Sequence, residues 1–362
     1  MIRPDTNNAY RLAAFLIIAV ITVYIMVVAQ SILLPLAWAL LISLLILPIV
    51  QWLEEKNVAR PVAIILVLIV VTSVFGFIFY LLSIQVVGIL NDVPALTRKL
   101  NQWVGNMQQY AENNWGISHE MFSRQIATSI SDMIGAFLVE IRNSISTVFQ
   151  AITLITVIPL YIYFMLYYRD LFYDGFLRIV KNYQKQATSL VSKVNNIVQR
   201  YLFGMLIVTI IIGVLFYIDL ITLGIDYAFF FATLLAVFNL IPYVGVIVSS
   251  LVVILYSLVI TNSLFYPLAL LISLWFIQFL ENNFITPFVV GTRVKVNPMA
   301  ALIAIFAGSS VWGISGMVLF LPLVGVIKTV FDEIEALRPF GMMLGTKRDE
   351  DEKAEKKVEN NS

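Results

Sequence analysis

Hydrophobic residues occur along this chain in runs of about 10 to 25 residues, separated by short polar segments. A helix needs about 20 apolar residues to cross a hydrocarbon layer of roughly 30 Å, so the longer runs predict membrane-spanning helices. The runs cover residues 12–29, 32–50, 61–85, 145–168, 202–220, 228–241, 246–260, 267–280, 298–307 and 314–327. The predicted fold is all-α: a polytopic membrane protein.

Four of these runs form two pairs of short helices. Residues 228–241 and 246–260 flank Pro242, Tyr243, Val244 and Gly245, and at 1.5 Å per residue each run reaches only about 22 Å. The last two runs flank a turn at 308–313. The pairs predict two helical hairpins. Either they are re-entrant and inverted relative to each other, which brings free backbone groups to the bilayer midplane, or they are short complete helices joined by ordinary turns.

Polar segments divide the apolar runs into regions with different expected roles. The predicted regions are three transmembrane helices in 1–87, a small helical extracytoplasmic domain in 88–144, a fourth transmembrane helix in 145–168, a basic cytoplasmic amphipathic segment in 169–201, a membrane region with both hairpins in 202–331, and a charged disordered cytoplasmic tail in 332–362.

The composition agrees with a membrane protein, since 60% of the residues are hydrophobic and 12% are charged. Eleven of the 45 charged residues lie in the last 16 positions, which predicts disorder there. With both termini in the cytoplasm, the basic segments fall on the cytoplasmic side, and the short loops at Gln30, Thr222 and Asn262 carry no Lys or Arg.

Several classes of function are disfavoured by composition. The chain has no cysteine and one histidine, His119, so we expect no catalytic residues, no metal site and no cofactor. His119 is predicted to be a surface residue of the external domain. A net charge of +1 gives no reason to expect nucleic acid, and no Gly-Lys-Ser/Thr loop for ATP phosphates is present.

Glu281 is the first candidate for transport chemistry, because it is the only acidic residue in 227–331 and ends an apolar run. A carboxylate at membrane depth is costly and would bind a proton or a cation. The alternative is an interfacial carboxylate paired with Arg293 or Lys295. Gln278 and Asn282, four residues apart on one helical face, would offer amide groups to a small hydroxylated ligand.

The remaining candidates lie at turns. Asn239 and Tyr243 flank Pro242, and with Gly245 this segment either frees carbonyl groups for a ligand or forms a simple turn. In the second pair, small residues serve either helix packing or a substrate path; they are Gly308, Gly313 and Gly316. In the connector between the hairpins, Pro287 and Gly291 either shape the chain or act as a hinge.

Three segments of the chain together resemble the AI-2E family of bacterial inner-membrane transporters. They are IPYVG at 241–245, QFLENNFITPFVVG at 278–291, and NPMAALIAIFAGSSVWGISGMVLFLPLVGVIK at 297–328. The resemblance implies a transporter in the bacterial inner membrane with about eight membrane segments per protomer, which forms homo-oligomers, as pentamers. It also implies export of autoinducer-2 or sodium–proton antiport, the two activities assigned within that family.

Three functions follow as hypotheses. The first is secondary export of a small polar metabolite such as autoinducer-2. The alternative is monovalent cation (Na⁺/Li⁺)–proton antiport with Glu281 as the titrating group. The third is a membrane scaffold acting through residues 88–144. The expected partners are membrane lipids, the metabolite or the cation and proton, and further copies of the chain.

Overall fold

A computed structural model describes residues 6–115, 148–241, 244–261, 263–289 and 296–345 of the chain. Within these ranges every regular element is a helix, so the all-α prediction is confirmed. The main helices are α1 (Thr6–Val28), α2 (Gln30–Glu55), α3 (Arg60–Trp115), α4 (Val148–Tyr167), α5 (Arg169–Ile179), α6 (Gln184–Thr222), α7 (Ala228–Phe238), α8 (Val244–Thr261), α9 (Phe265–Leu280), α10 (Thr286–Val289), α11 (Pro298–Glu333) and α12 (Arg338–Leu344). Short turns of 3₁₀ or π helix lie at Lys181–Tyr183, Glu281–Ile285 and Glu335–Leu337.

Six helical segments of the described residues are long and apolar enough to cross a membrane. Their large apolar side chains point outward: Ile69, Phe77 and Phe79 on α3 are 58%, 62% and 66% exposed. Such surface is unfavourable in water and favourable against lipid, which agrees with a polytopic membrane protein. The six segments are Gln30–Glu55, Arg60–Asp92, Gln184–Thr222, Val244–Thr261, Phe265–Val289 and Pro298–Glu333.

The chain divides into two compact units. The first contains Met1–Leu68, Leu154–Phe203 and Thr292–Ser362, and the second contains Ile69–Thr153 and Gly204–Gly291. The core of the second unit is a cluster of buried side chains from α6, α7, α8 and α9, among them Phe216, Phe231, Val253 and Leu270. This cluster fixes the first hairpin against α9.

Helix α3 does not end at the predicted domain boundary between residues 87 and 88, but continues without a break to Trp115. Residues 116–147, with the rest of the predicted external domain and His119, lie outside the described residues. The predicted boundary at 201 likewise falls inside α6, which begins at Gln184.

Polar residues explain why α3 extends beyond its apolar run. Three of its side chains bond to the open end of the α7–α8 pair, so tertiary contacts stabilise the extension. The Phe230 N–H donates to Gln85 Oε1 (2.8 Å), Tyr227 Oη donates to Asp92 Oδ2 (2.6 Å), and Lys99 Nζ donates to the Ile260 carbonyl at the end of α8 (2.9 Å). The hydrogen bond to Asp92 is the main reason that the pKa of Tyr227 is raised to about 12.

Helices α7 and α8 form the first predicted hairpin. Their arms lie side by side, with the rings of Phe231 and Tyr256 4.6 Å apart. At the closed end a Cβ on Gly245 would lie 1.8 Å from the Phe238 carbonyl oxygen, so only glycine fits this approach. The arms are unequal: α7 rises about 16 Å and α8 about 27 Å, so only α7 is far too short to span.

The second predicted hairpin lies within α11. Trp312 and Gly313 have non-helical backbone angles, with φ of +59° at Gly313, and they separate arms at 298–311 and 314–333. In a straight helix residues 308 and 316 would be about 12 Å apart. Instead, a Cβ on Gly316 would lie 1.9 Å from the Gly308 carbonyl oxygen, so the chain folds back there.

The prediction of disorder from residue 332 is wrong for the first part of the tail. α11 continues to Glu333, and α12 follows and packs back on the start of α11. Asn297 holds this arrangement: its Oδ1 accepts the Ala300 N–H (2.7 Å), and its Nδ2 donates to the Met343 carbonyl (2.7 Å). Asn297 is thus the N-cap of α11, and the charge content of the tail did not reveal this contact. Residues 346–362 lie outside the described residues.

Candidate functional site

Glu281 follows directly on α9, inside the apolar segment Phe265–Val289. Its side chain is buried, although nearby Trp275 and Phe279 are exposed, as lipid-facing residues are. The carboxylate therefore faces the interior of its unit, at a place where an ionisable group is expensive to keep.

The backbone at Glu281 forms a π turn over Glu281–Ile285, in which the Thr286 N–H bonds to the carbonyl of Glu281 five residues earlier. Proline explains the irregularity. Pro287 has no N–H and its ring clashes with the carbonyl four residues before it, so the preceding turn widens. Single π turns inside helices are frequent at functional sites.

Two neutral side chains donate to the Glu281 carboxylate. Thr286 Oγ1 donates to Oε1 at 2.5 Å, and Gln278 Nε2 donates to Oε2. The carbonyl oxygen of the Gln278 amide, Oε1, is buried and has no hydrogen-bond partner among the described residues. The predicted alternative partners, Arg293 and Lys295, lie outside the described residues.

The predicted amide face takes a different form in the structure. Gln278 bonds to Glu281 rather than lining a face with Asn282, which is exposed together with Asn283. The Asn283 side chain donates to the Phe279 carbonyl (2.9 Å). The π turn changes the angular position of the residues that follow it, so α-helical spacing does not describe this segment.

The site combines a buried carboxylate with polar groups of two half-buried side chains. The Glu281 carboxylate, the Gln278 carbonyl and the Thr286 hydroxyl are the types of oxygen ligand that a small hard cation prefers. No group of three His, Cys, Asp or Glu that would bind a transition metal occurs in the described part of the chain.

The turn of the first hairpin is only partly described. Asn239 is half-buried and ends α7, where its N–H donates to the Leu235 carbonyl (3.0 Å). Pro242 and Tyr243 lie outside the described residues, as does Gly291 in the connector. A shared site of Asn239 and Tyr243 with Glu281 therefore stays a prediction.

Comparison with known protein families identifies the chain. The model of the AI-2E family transporter matches residues 15–336, which include both hairpins and the Glu281 segment. The chain belongs to the AI-2E family. The resemblance of the three sequence segments is thereby confirmed, and the family supports a role in transport.

Individual relatives of this AI-2E family transporter are distant but match along most of their length. YrrI of Bacillus subtilis (strain 168) is 26% identical over 312 residues, covering 84% of this chain and 86% of YrrI. YueF of the same strain is 24% identical over 302 residues, covering 80% of each. YhhT of Escherichia coli (strain K12) is 21% identical over 322 residues, covering 88% and 90%. Their names ascribe transport to all three.

Sequence analysis missed two polar residues of this transporter, Asp219 and Thr286, which bond to α9 and to Glu281 respectively. Asp219, near the end of α6, accepts a hydrogen bond from Ser273 Oγ at 2.8 Å. Ser273 precedes Glu281 by eight residues, so the Asp219 carboxylate contacts α9 about 12 Å along the helix from Glu281. The sequence does contain a signal for Asp219, because it is an acidic residue within the apolar run 202–220. Thr286, which donates to Glu281, gave no signal in the sequence.

Proposed function

We propose that this AI-2E family member is a secondary transporter that exports a small polar metabolite of the autoinducer-2 type, coupled to a proton or cation at Glu281. The observation that carries the coupling is the buried Glu281 carboxylate, held by Gln278 and Thr286 within an apolar helix. An ionisable group kept in an apolar segment in spite of its cost marks an ion pathway, and binding of an ion there would link an ion gradient to solute movement.

Monovalent cation–proton antiport is the second candidate. It is favoured by the oxygen atoms available at Glu281: besides the carboxylate and the Thr286 hydroxyl, the Gln278 carbonyl oxygen is a further buried acceptor. In this function Na⁺ or Li⁺ and the proton would compete for the same carboxylate, and no organic substrate would cross.

The proposed setting is the bacterial inner membrane with both termini in the cytoplasm. The distribution of Lys and Arg among the loops supports this orientation. A homopentamer is part of the proposal, and it rests on the family resemblance alone.

Transport in proteoliposomes tests the proposal. With an imposed pH gradient, the wild-type protein should move autoinducer-2, and Glu281→Gln should reduce flux to the level of empty liposomes while the protein still folds. Glu335→Gln, which changes an exposed glutamate in the same way, is the matched control and should leave flux unchanged.

The outcomes separate the two candidates. Metabolite flux that responds to the gradient in Glu281→Gln as in the wild type contradicts the proposed coupling. Proton movement that requires Na⁺ or Li⁺, is lost in Glu281→Gln, and occurs without metabolite flux identifies an antiporter instead.

A further inference from the structure

Helix α5 carries a stripe of exposed apolar side chains. None of its 11 residues is buried, and Phe172, Phe176 and Ile179 are 62%, 41% and 84% exposed. Positions i, i+4 and i+7 lie on one helical face, while Asp174 lies on the opposite face. A helix with this pattern requires an apolar medium on one side and water on the other.

The start of α5 follows the aromatic end of α4. Only Tyr168 separates the two helices, and its ring lies 4.9 Å from that of Tyr167, which stacks on Tyr163 at 5.7 Å. Tyrosines at the end of an apolar helix are typical of the boundary between lipid and water. The aromatic end of α4 is therefore the place where a boundary between lipid and water is expected, and α5 begins there.

Ion pairs fix this starting point. Arg60 Nη1 lies 2.7 Å from Asp170 Oδ2, and Arg169 pairs with Glu54. Glu54 and Arg60 are at the end of α2 and the start of α3, two helices that are apolar enough to span a membrane. The first turn of α5 is thus tied to the ends of two apolar helices.

Basic residues follow the apolar stripe. Arg178, Lys181 and Lys185 are exposed and lie within eight residues, and Asp174 is the acidic residue closest to them in sequence. Anionic lipid headgroups attract such clusters next to membrane helices. An apolar face beside basic residues is typical of helices that lie in the membrane interface.

We propose that α5, together with Lys181 and Lys185, is an interfacial helix that inserts Phe172, Phe176 and Ile179 among acyl chains and binds anionic phospholipid headgroups. The positive charges of Lys181 and Lys185 favour anionic phospholipid over a neutral apolar surface as the partner of this helix. The contact holds the α4–α6 connection flat on the membrane and makes it sensitive to lipid composition.

The chain contains no cysteine, so single labels can be placed without altering other sites. The test uses full-length Ile179→Cys and, as its matched control, Asp174→Cys, each with a nitroxide label in lipid nanodiscs. Collisions of the label with oxygen report its immersion in lipid, and collisions with a water-soluble nickel complex report its exposure to water. Discs of phosphatidylcholine alone and discs with 30% phosphatidylglycerol, as the probe of anionic lipid, are compared.

We expect the label at 179 to favour oxygen and the label at 174 to favour the nickel complex. Phosphatidylglycerol should increase the immersion at 179, and the double change Lys181→Gln and Lys185→Gln should abolish that increase. Equal exposure to water at both positions overturns the interfacial placement, and immersion at 179 that is unaffected by phosphatidylglycerol overturns the anionic preference. Spin–spin broadening at 179 identifies a second protein copy as the occupant and overturns the lipid assignment.

Discussion

At the residue scale, Glu281 depends on one neighbour before the π turn and one after it. In a regular α-helix residue 286 would point about 140° away from residue 281. The π turn brings Thr286 round so that its hydroxyl reaches the carboxylate. The scarcity of acidic residues identified Glu281 from sequence, but a spacing of five residues gives no signal for a helical contact.

Replacing Thr286 tests whether this contact matters for transport. Thr286→Val removes the hydroxyl but keeps the shape, so Oε1 of the buried carboxylate loses its donor. A hydrogen bond to a charged group contributes about 1.5–3 kcal/mol, so we expect gradient-driven flux to fall roughly tenfold. Thr286→Ser restores the donor and should retain most of the flux. Equal flux in both variants would show that the hydroxyl has no role.

At the element scale, both hairpins are closed by contacts between backbones. Gly245 meets the end of α7, and Gly308 meets Gly316 across the turn in α11. The short apolar runs and the intervening Gly and Pro predicted both turns. The sequence left open whether these glycines serve packing or a path. In the structure Gly308 and Gly316 pack on each other, and whether either hairpin is re-entrant stays a prediction.

A methyl group at Gly316 should destabilise the second hairpin. The added Cβ would lie 1.9 Å from the Gly308 carbonyl oxygen, so the arms must separate, and overpacking of this kind costs about 1–3 kcal/mol. Gly316→Ala should therefore lower the thermal unfolding midpoint in detergent. Gly76→Ala is the matched control, because no atom lies within 4 Å of its Cβ and alanine favours the exposed helix. A midpoint at or above the wild-type value in Gly316→Ala would contradict the observed contact.

At the scale of the whole molecule, apolar helices and charged connections act together to set the orientation in the membrane. Lys56, Arg60 and the basic segment after α4 are predicted to lie on the cytoplasmic side, and the loop at Thr222 on the other. In the structure the first group is partly neutralised by ion pairs, as between Arg60 and Asp170. Lys and Arg nevertheless determine orientation more strongly than net charge does.

Labelling of single cysteines tests this orientation. In right-side-out vesicles, a membrane-impermeant maleimide should modify Thr222→Cys and spare Ala59→Cys. In inside-out vesicles it should modify Ala59→Cys and spare Thr222→Cys. Both positions are exposed, and the wild-type chain, which has no cysteine, measures the background. The opposite labelling order would invert the predicted topology.

The sequence by itself determined the all-helical membrane fold, the two hairpins, the family and the carboxylate at 281. These features depend on the order and length of apolar runs and on rare polar residues within them, which are local properties of the chain. Only the tertiary structure decided that α3 continues past residue 88, that α12 packs on Asn297, and that Gln278 and Thr286 share one carboxylate. Each of these arises from a polar contact between turns or helices that are not neighbours in the local sequence pattern, so the pattern alone does not reveal it.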